Sequence, residues 1–391
     1  VPGAPLVIRE SNVSQSTDGG RAQRLKLRRR AKELLPTEAI GACGTCLHYL
    51  TRQQDGVKMP HAVIMLTRGE EKKTAFVAGI AQCGRIWDCA VCSARISAGR
   101  RDELGALVKA HVAAEGRVYM AAMTIPHGKF DDLKVLRRAV SRIWTKVQTG
   151  RAWMDAKQRC GLIGMVRAME VTHGKNGWHP HLHILFFFGK NAPTELIELF
   201  GKWLFERWAA RVYEAGHGEC NINVFQFEQA RSTEQAAGYA VKWGSEHEML
   251  GAQGKAGKNG NKTPWQLLIE SAAGNKRSGE LFVAYSKGMK GARQLTYTKG
   301  LRKFYALPDE KTDEELAAEP TKEERDSVDG GKPRPVCQIS GRVLFLLEKR
   351  GVMAAMLEAV EADPCWETVR DFLETNYIHL DFLCGPPFSE R

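Results

Sequence analysis

Apolar positions recur along this chain at two periods, and the switches between them mark its elements. Alternation of period two in HAVIMLT (61–67) and TAFVAGI (74–80) predicts short strands. ARISAGRRDELGALVKAHVA (94–113) gathers apolar residues on one helical face and arginines on the other. A regular succession follows: strand VYMAAMTI (118–125), helix LKVLRRAVSRIWTKV (133–147), strand LIGMVRAMEVT (162–172), turn GKNG, and strand HLHILFFF (181–188). Helix TELIELFGKWLFERWAARVYEAG (194–216), strand INVFQFE (222–228) and a short helix QAAGYAVKWGSE (235–246) complete it. The pattern predicts an α+β fold: a split βαβ core with an antiparallel central sheet and helices on one face, preceded by an N-terminal extension whose clustered cysteines, Cys43 to Cys92, make it a candidate for zinc binding. Helical patterns at 263–274 and 278–291 flank no Walker-type loop, since the glycine-rich GAQGKAGKNGNKT (251–263) lacks that spacing.

Five segments follow from these shifts in pattern. They are a disordered basic arm (1–36), a cysteine-rich region (37–113), a strand-and-helix domain (114–307), an acidic linker (308–334) and a small helical C-terminal region (335–391). Apolar residues make up 43% of the 391 and charged residues 26%, which excludes a chain disordered throughout. No uncharged apolar run approaches the ~20 residues of a membrane span. The first fifteen residues lack a basic stretch followed by an apolar one, so a cytoplasmic protein is expected, without membrane attachment.

The formal charge of +12 is unevenly spread. Residues 309–329 hold ten acidic and three basic side chains, a net of −7, which leaves +19 on the rest. Such a body favours a polyanion, and the seven positive charges of RAQRLKLRRRAK (21–32) read as a patch with no core role.

In a strand over 181–188, His181 and His183 project from one face about 6.6 Å apart, with Leu182, Ile184, Phe186 and Phe188 on the other. Two imidazoles on one face suit neighbouring metal ligands; packed or surface histidines are the alternative. His179 is expected to point away from the pair. A hairpin turning at 174–177 brings Glu170 alongside, and an N₂O set with open positions suits Mg²⁺ or Mn²⁺. On the helix at 235–246, Tyr239 shares a face with Gln235, Lys242, Trp243 and Glu246. A tyrosinate there can attack a phosphodiester, with Lys242 lowering its pKa or binding phosphate, while a core tyrosine fits the spacing equally.

Ten cysteines in 391 residues are too few for a disulfide framework, and five of them fall between Cys43 and Cys92, which points to a metal. The pairs Cys43-x₂-Cys46 and Cys89-x₂-Cys92 form a candidate Cys₄ zinc set, with Cys83 as a possible substitute for one member. A thioredoxin-like pair would require a helix N-terminus after a strand, and the pattern shows none there. Cys160, Cys220, Cys337, Cys365 and Cys384 read as free thiols.

These motifs, in this order, resemble the rolling-circle replication initiators of small bacterial plasmids, within the superfamily of endonucleases named for a His-hydrophobic-His motif. AAMTIPHGKF (121–130), GWHPHLHILFF (177–187) and GYAVKW (238–243) resemble its three motifs, and CGRIWDCAVCSARI (83–96) and TPWQLL…GARQLTYTKGLRKFY (263–305) resemble stretches of one subgroup. The resemblance covers roughly 83–305 and implies that 114–307 is a catalytic endonuclease domain, preceded by the zinc-binding cysteine-rich region at 37–113. It implies that His181 and His183 bind metal and that Tyr239 nicks the replication origin, leaving a 5′-phosphotyrosine and a 3′-OH primer. It also implies partners: origin DNA, double-stranded with a single-stranded or cruciform nick site, a host helicase and DNA polymerase, and a possible homodimer. Single-tyrosine relatives keep a glutamate four residues before the tyrosine. Here Gln235 stands there, and Glu234, one position off that face, becomes the candidate termination base. A relaxase or transposase of the same superfamily, or a non-catalytic zinc-containing DNA-binding protein, are the alternatives; the last leaves Tyr239 and the histidine pair unused.

Overall fold

The computed structural model describes residues 17–51, 58–68, 73–233, 235–236, 260–319, 333–381 and 384–386. Tyr239, Glu234 and Lys242, with residues 237–246 of the expected tyrosine helix, lie outside the described residues.

Nine strands are described, in two antiparallel sheets. The first holds β1 (His48–Thr51), β2 (Lys58–Arg68) and β3 (Lys73–Ala78), joined by β9 (Arg334–Ser340) from the far end of the chain. The second holds β4 (Arg117–Thr124), β5 (Leu162–Gly174), β6 (Gly177–Phe188), β7 (Phe227–Gln229) and β8 (Leu295–Tyr297) in the order β7-β4-β6-β5-β8. Both β4 and β5 run antiparallel to β6, so they are parallel to one another with β6 between them.

The helices are α1 (Thr17–Leu34), α2 (Ala90–Ala113), α3 (Leu133–Val147), α4 (Arg151–Arg159), α5 (Thr194–Glu214), α6 (Pro264–Ala272) and α7 (Lys276–Met289). After them come the short α8 (Leu301–Phe304) and α9 (Asp313–Ala318), then α10 (Gly341–Arg350), α11 (Met353–Ala362) and α12 (Trp366–Thr375). Among the described residues, no helix is long and apolar enough to cross a membrane.

The central strand β6 explains how the second sheet is buried. Leu182, Ile184, Phe186 and Phe188 face a core built with Trp144 of α3 and Phe200 and Trp208 of α5. The run ILFFF (184–188) is apolar at every position, so its other face is buried too: Leu185 and Phe187 pack with Val118, Val166, Leu301 and with Leu104, Leu107 and Val108 of α2. Helices therefore cover both faces, which corrects the expectation of helices on one face.

Four further expectations give way. Residues 17–34 form a packed helix rather than a disordered arm, because Leu27 and Ala31 are fully buried. Three positive charges of that helix have acidic partners far along the chain: Arg21 pairs with Glu361 at 2.7 Å, and Arg28 and Lys32 with Glu348 at 3.1 and 3.0 Å. The C-terminal region is not a separate helical appendage, since Cys337 and Ile339 of β9 share one core with Ile64, Leu66, Val343, Met356 and Leu373. Part of the acidic linker is docked: Arg100 of α2 meets Glu310 at 3.2 Å and Asp313 at 2.6 Å, and Leu316 is buried. Finally, the strand expected at 222–228 begins as a 3₁₀ turn over Ile222–Val224. The Asn221 side chain accepts the Asn223 N–H at 2.9 Å there and bends the chain before β7.

Candidate metal centres

The hairpin of β5 and β6 builds the first centre. Its turn joins Gly174 to Gly177, and Gly177 has φ +82°, a left-handed conformation that glycine adopts without strain. A Cβ there would also stand 2.6 Å from the Lys129 carbonyl, so the loop after β4 is seated on the hairpin end. Register then places Glu170 directly opposite His181. His183 lies between Ala168 of β5 and Ala122 of β4, whose small side chains leave room above the imidazoles.

The donors converge. Glu170 Oε2 lies 2.9 Å from His181 Nε2 and in closer contact with His183 Nε2, and the two Nε2 atoms are 3.1 Å apart. All three side chains are about six-sevenths buried or more. Burial alone raises the pKa of Glu170, but the charges and hydrogen bonds of His181 and His183 hold it well below the carboxylate range. A carboxylate and two imidazoles with ligand atoms within 4.8 Å of one another fit a divalent ion that keeps open positions.

His179 is corrected. It lies on the same face, with its ring centroid 5.2 Å from that of His181 and its Nε2 3.4 Å from Thr124 Oγ1. Period two puts 179, 181 and 183 on one side of β6. Burial first, then the neighbouring His181 and His127, lower its pKa to about 4.

The second centre joins Cys43, at the end of a 3₁₀ turn, Cys83, in the loop after β3, and Cys89 and Cys92, at the start of α2. Cys43 Sγ lies 3.7 Å from both Cys89 and Cys92 Sγ, and Cys83 Sγ lies 3.6 Å from Cys92 Sγ. Four sulfurs tetrahedrally placed about 2.3 Å from a zinc ion stand about 3.8 Å apart, whereas a disulfide needs about 2 Å. The spacing therefore fits a shared tetrahedral ion.

Cys46 does not belong to this set. After Gly44 the chain extends into a bridge between Cys46 and Ile80, which turns the Cys46 side chain into the second core. Cys83 takes its place. Counting C-x₂-C pairs hid this; the five residues between Cys83 and Cys89 are one loop, while Cys43 and Cys46 part at a glycine turn. Cys89 also caps α2, accepting the Cys92 N–H at 3.5 Å, so this pair does sit at a helix N-terminus, after a turn rather than a strand.

Arg28 of α1 stands against the thiols: a Cβ on Gly44 would lie 2.8 Å from its guanidinium carbon. Burial disfavours its charge, yet Glu348 and the thiolates of Cys43, Cys89 and Cys92 raise its pKa. A cation fixed there offsets the negative charge that four thiolates bring to a zinc ion.

Comparison with known proteins finds related chains in Streptomyces. "Protein rep" of Streptomyces lividans is 26% identical over 303 residues, covering 60% of this chain and 66% of that protein. "Neomycin resistance protein" of Streptomyces cyanogenus is 34% identical over 140 residues, 29% of this chain and 32% of that protein. The matches thus span less than two thirds of either relative. No protein-family model and no solved structure matches. The first relation supports the resemblance to plasmid replication initiators that the three motifs carry.

Proposed function

We propose that this chain initiates rolling-circle replication of a plasmid by nicking and rejoining one strand at the replication origin. The observation that carries the proposal is the meeting of Glu170, His181 and His183 on two hairpin strands, in the motif that precedes Tyr239. The strand order β7-β4-β6-β5, with β6 inserted between two parallel strands, supports the split βαβ reading.

In this reading the Tyr239 phenol attacks the scissile phosphorus. Its oxygen forms the new P–O bond, the bond to the 3′ oxygen breaks, and a 5′-phosphotyrosine and a free 3′-OH result. Lys242, three residues on, lowers the phenol pKa or holds the phosphate. Glu170, His181 and His183 would hold Mg²⁺ or Mn²⁺, which supplies Lewis-acid polarisation of the phosphate when bound. Glu234 is the candidate base for the terminating transfer. The cysteine centre would hold a structural Zn²⁺ that pins α1, the 3₁₀ turn and α2 beside the catalytic sheet.

The test uses labelled single-stranded oligonucleotides tiling the protein's own replicon, incubated with Mn²⁺ and run on denaturing gels. Wild-type protein is expected to form a covalent adduct with one of them, and Tyr239→Phe to form none while binding the strand with near wild-type affinity. An adduct at full yield in Tyr239→Phe overturns the assignment.

A further inference from the structure

A cavity opens beside the histidine face, at the edge of β4. Among the described residues, strand β7 pairs with β4 at Tyr119, Met120 and Ala121, and the segment from Ala122 onward borders the cavity. The cavity measures about 320 Å³ and is walled by Ile125, Phe205 and Phe225, with His127, His179 and Asn221 at its polar parts. The walls are fixed from behind: the buried Trp208 N–H donates to the Thr124 carbonyl at 2.9 Å.

We propose that this cavity seats one unpaired nucleobase of the DNA strand that the histidine face acts on; the inference rests on the strand-nicking function proposed above. Its chemistry selects a base over a phosphate. Among the described residues no lysine or arginine lines it, and Glu219 does, so an anion there would meet a carboxylate without a compensating cation. A base offers a π face for aromatic walls and an edge for hydrogen bonds. Phe205 and Phe225 supply the walls, with ring centroids 5.1 Å apart and planes inclined by 41°. Asn221 supplies the edge: its Oδ1 is engaged by the Asn223 N–H, which leaves its amide N–H₂ as donor. His127 and His179, with ring centroids 4.9 Å apart, line the side toward the metal centre.

Position adds a second, independent reason. Thr124 lines the cavity and pairs with His181 across the sheet, and His179 lines it next to His181 on the same face. A strand whose phosphate sits at Glu170, His181 and His183 thus has an adjacent base within reach of the opening. The histidine centre would place the phosphate, and the cavity would choose which nucleotide stands beside it.

The experiment measures fluorescence anisotropy without divalent ions, so that no strand is cut. One probe is a labelled mixed-sequence single-stranded 20-mer carrying all four bases; the other has the same backbone with abasic residues throughout. Wild-type protein is expected to bind the base-bearing strand at least tenfold more tightly. Phe205→Ala is expected to lose about tenfold and Asn221→Ala about threefold on that strand, with abasic binding unchanged. Melting curves confirm the fold, and Phe205→Leu, which keeps the volume, is expected to lose affinity in the same sense.

Variants that bind the base-bearing strand as tightly as wild type overturn the proposal. Equal wild-type affinity for both probes means that the backbone alone is held; this overturns the cavity's role and leaves the nicking function standing. No wild-type binding to either strand overturns the proposed function and this inference together.

Discussion

A carboxylate shared between two imidazoles is a costly arrangement to bury unless something else draws on the same electron pairs. Glu170 stays ionised because His181 and His183 face it, and each of the three offers a lone pair toward one point. His183→Ala and Glu170→Gln are each expected to weaken Mn²⁺ binding by tenfold or more, read by titration calorimetry; unchanged affinity would remove the centre. The meeting of these three side chains was legible in the sequence, because period two and one hairpin turn decide their register. The cysteines were legible only in part. Which thiol joins a cluster depends on where a loop bends, and Gly44 sends Cys46 away while the loop after β3 brings Cys83 in. Purified protein is expected to carry about one zinc per chain, Cys83→Ser to lose it, and Cys46→Ser to keep it. Metal analysis returning the opposite pattern would restore Cys46 as the ligand.

Elements held by local periodicity were readable; elements held by distant partners were not. The strands β4, β5 and β6 and helices α3 and α5 carry unambiguous patterns and appear close to the positions read from them. The basic stretch that became α1 did not. Arg21 pairs with Glu361, and Arg28 and Lys32 pair with Glu348, more than 300 residues later in the chain, and no window of sequence shows a partner so far away. The same holds for β9, whose register on β2 joins the two ends of the chain. At the hairpin end, close packing has a direct consequence. Gly177 combines φ +82° with the Lys129 carbonyl 2.6 Å from any Cβ. Gly177→Ala is therefore expected to destabilise the protein by about 1–3 kcal/mol and to weaken Mn²⁺ binding, since the turn sets the register of Glu170 against His181. An unchanged melting temperature and unchanged metal affinity in that variant would show that the turn does not carry the site.

At the scale of the whole molecule, partly or fully buried histidines are expected to set the acid limit of stability before the carboxylates do. Burial is the largest cause lowering the pKa of His61, His111, His173 and His179, the last to about 4. Unfolded, each titrates near 6.5. Below that pH the unfolded chain binds protons that the folded chain refuses, so stability present above about pH 6.5 is lost as pH falls toward the folded values. Glu170 and Glu270 are also lowered, so their contribution persists above about pH 4.5 and disappears only below it. On the alkaline side burial raises Tyr297 to about 12, so its contribution is complete below about pH 10 and is lost as pH rises through 12. The melting temperature is thus expected to be highest between about pH 7 and 9 and to decline from about pH 6.5 downward, well above the carboxylate range. Acid also protonates zinc-bound thiolates. Zinc release, followed with a chromogenic chelator on the same samples, therefore separates that contribution from the histidines. His179→Gln removes one titrating imidazole and should flatten the decline between pH 6 and 4.5. A melting temperature constant from pH 7 to 5, with zinc retained, would mean that these imidazoles take up protons in the folded protein as readily as in water.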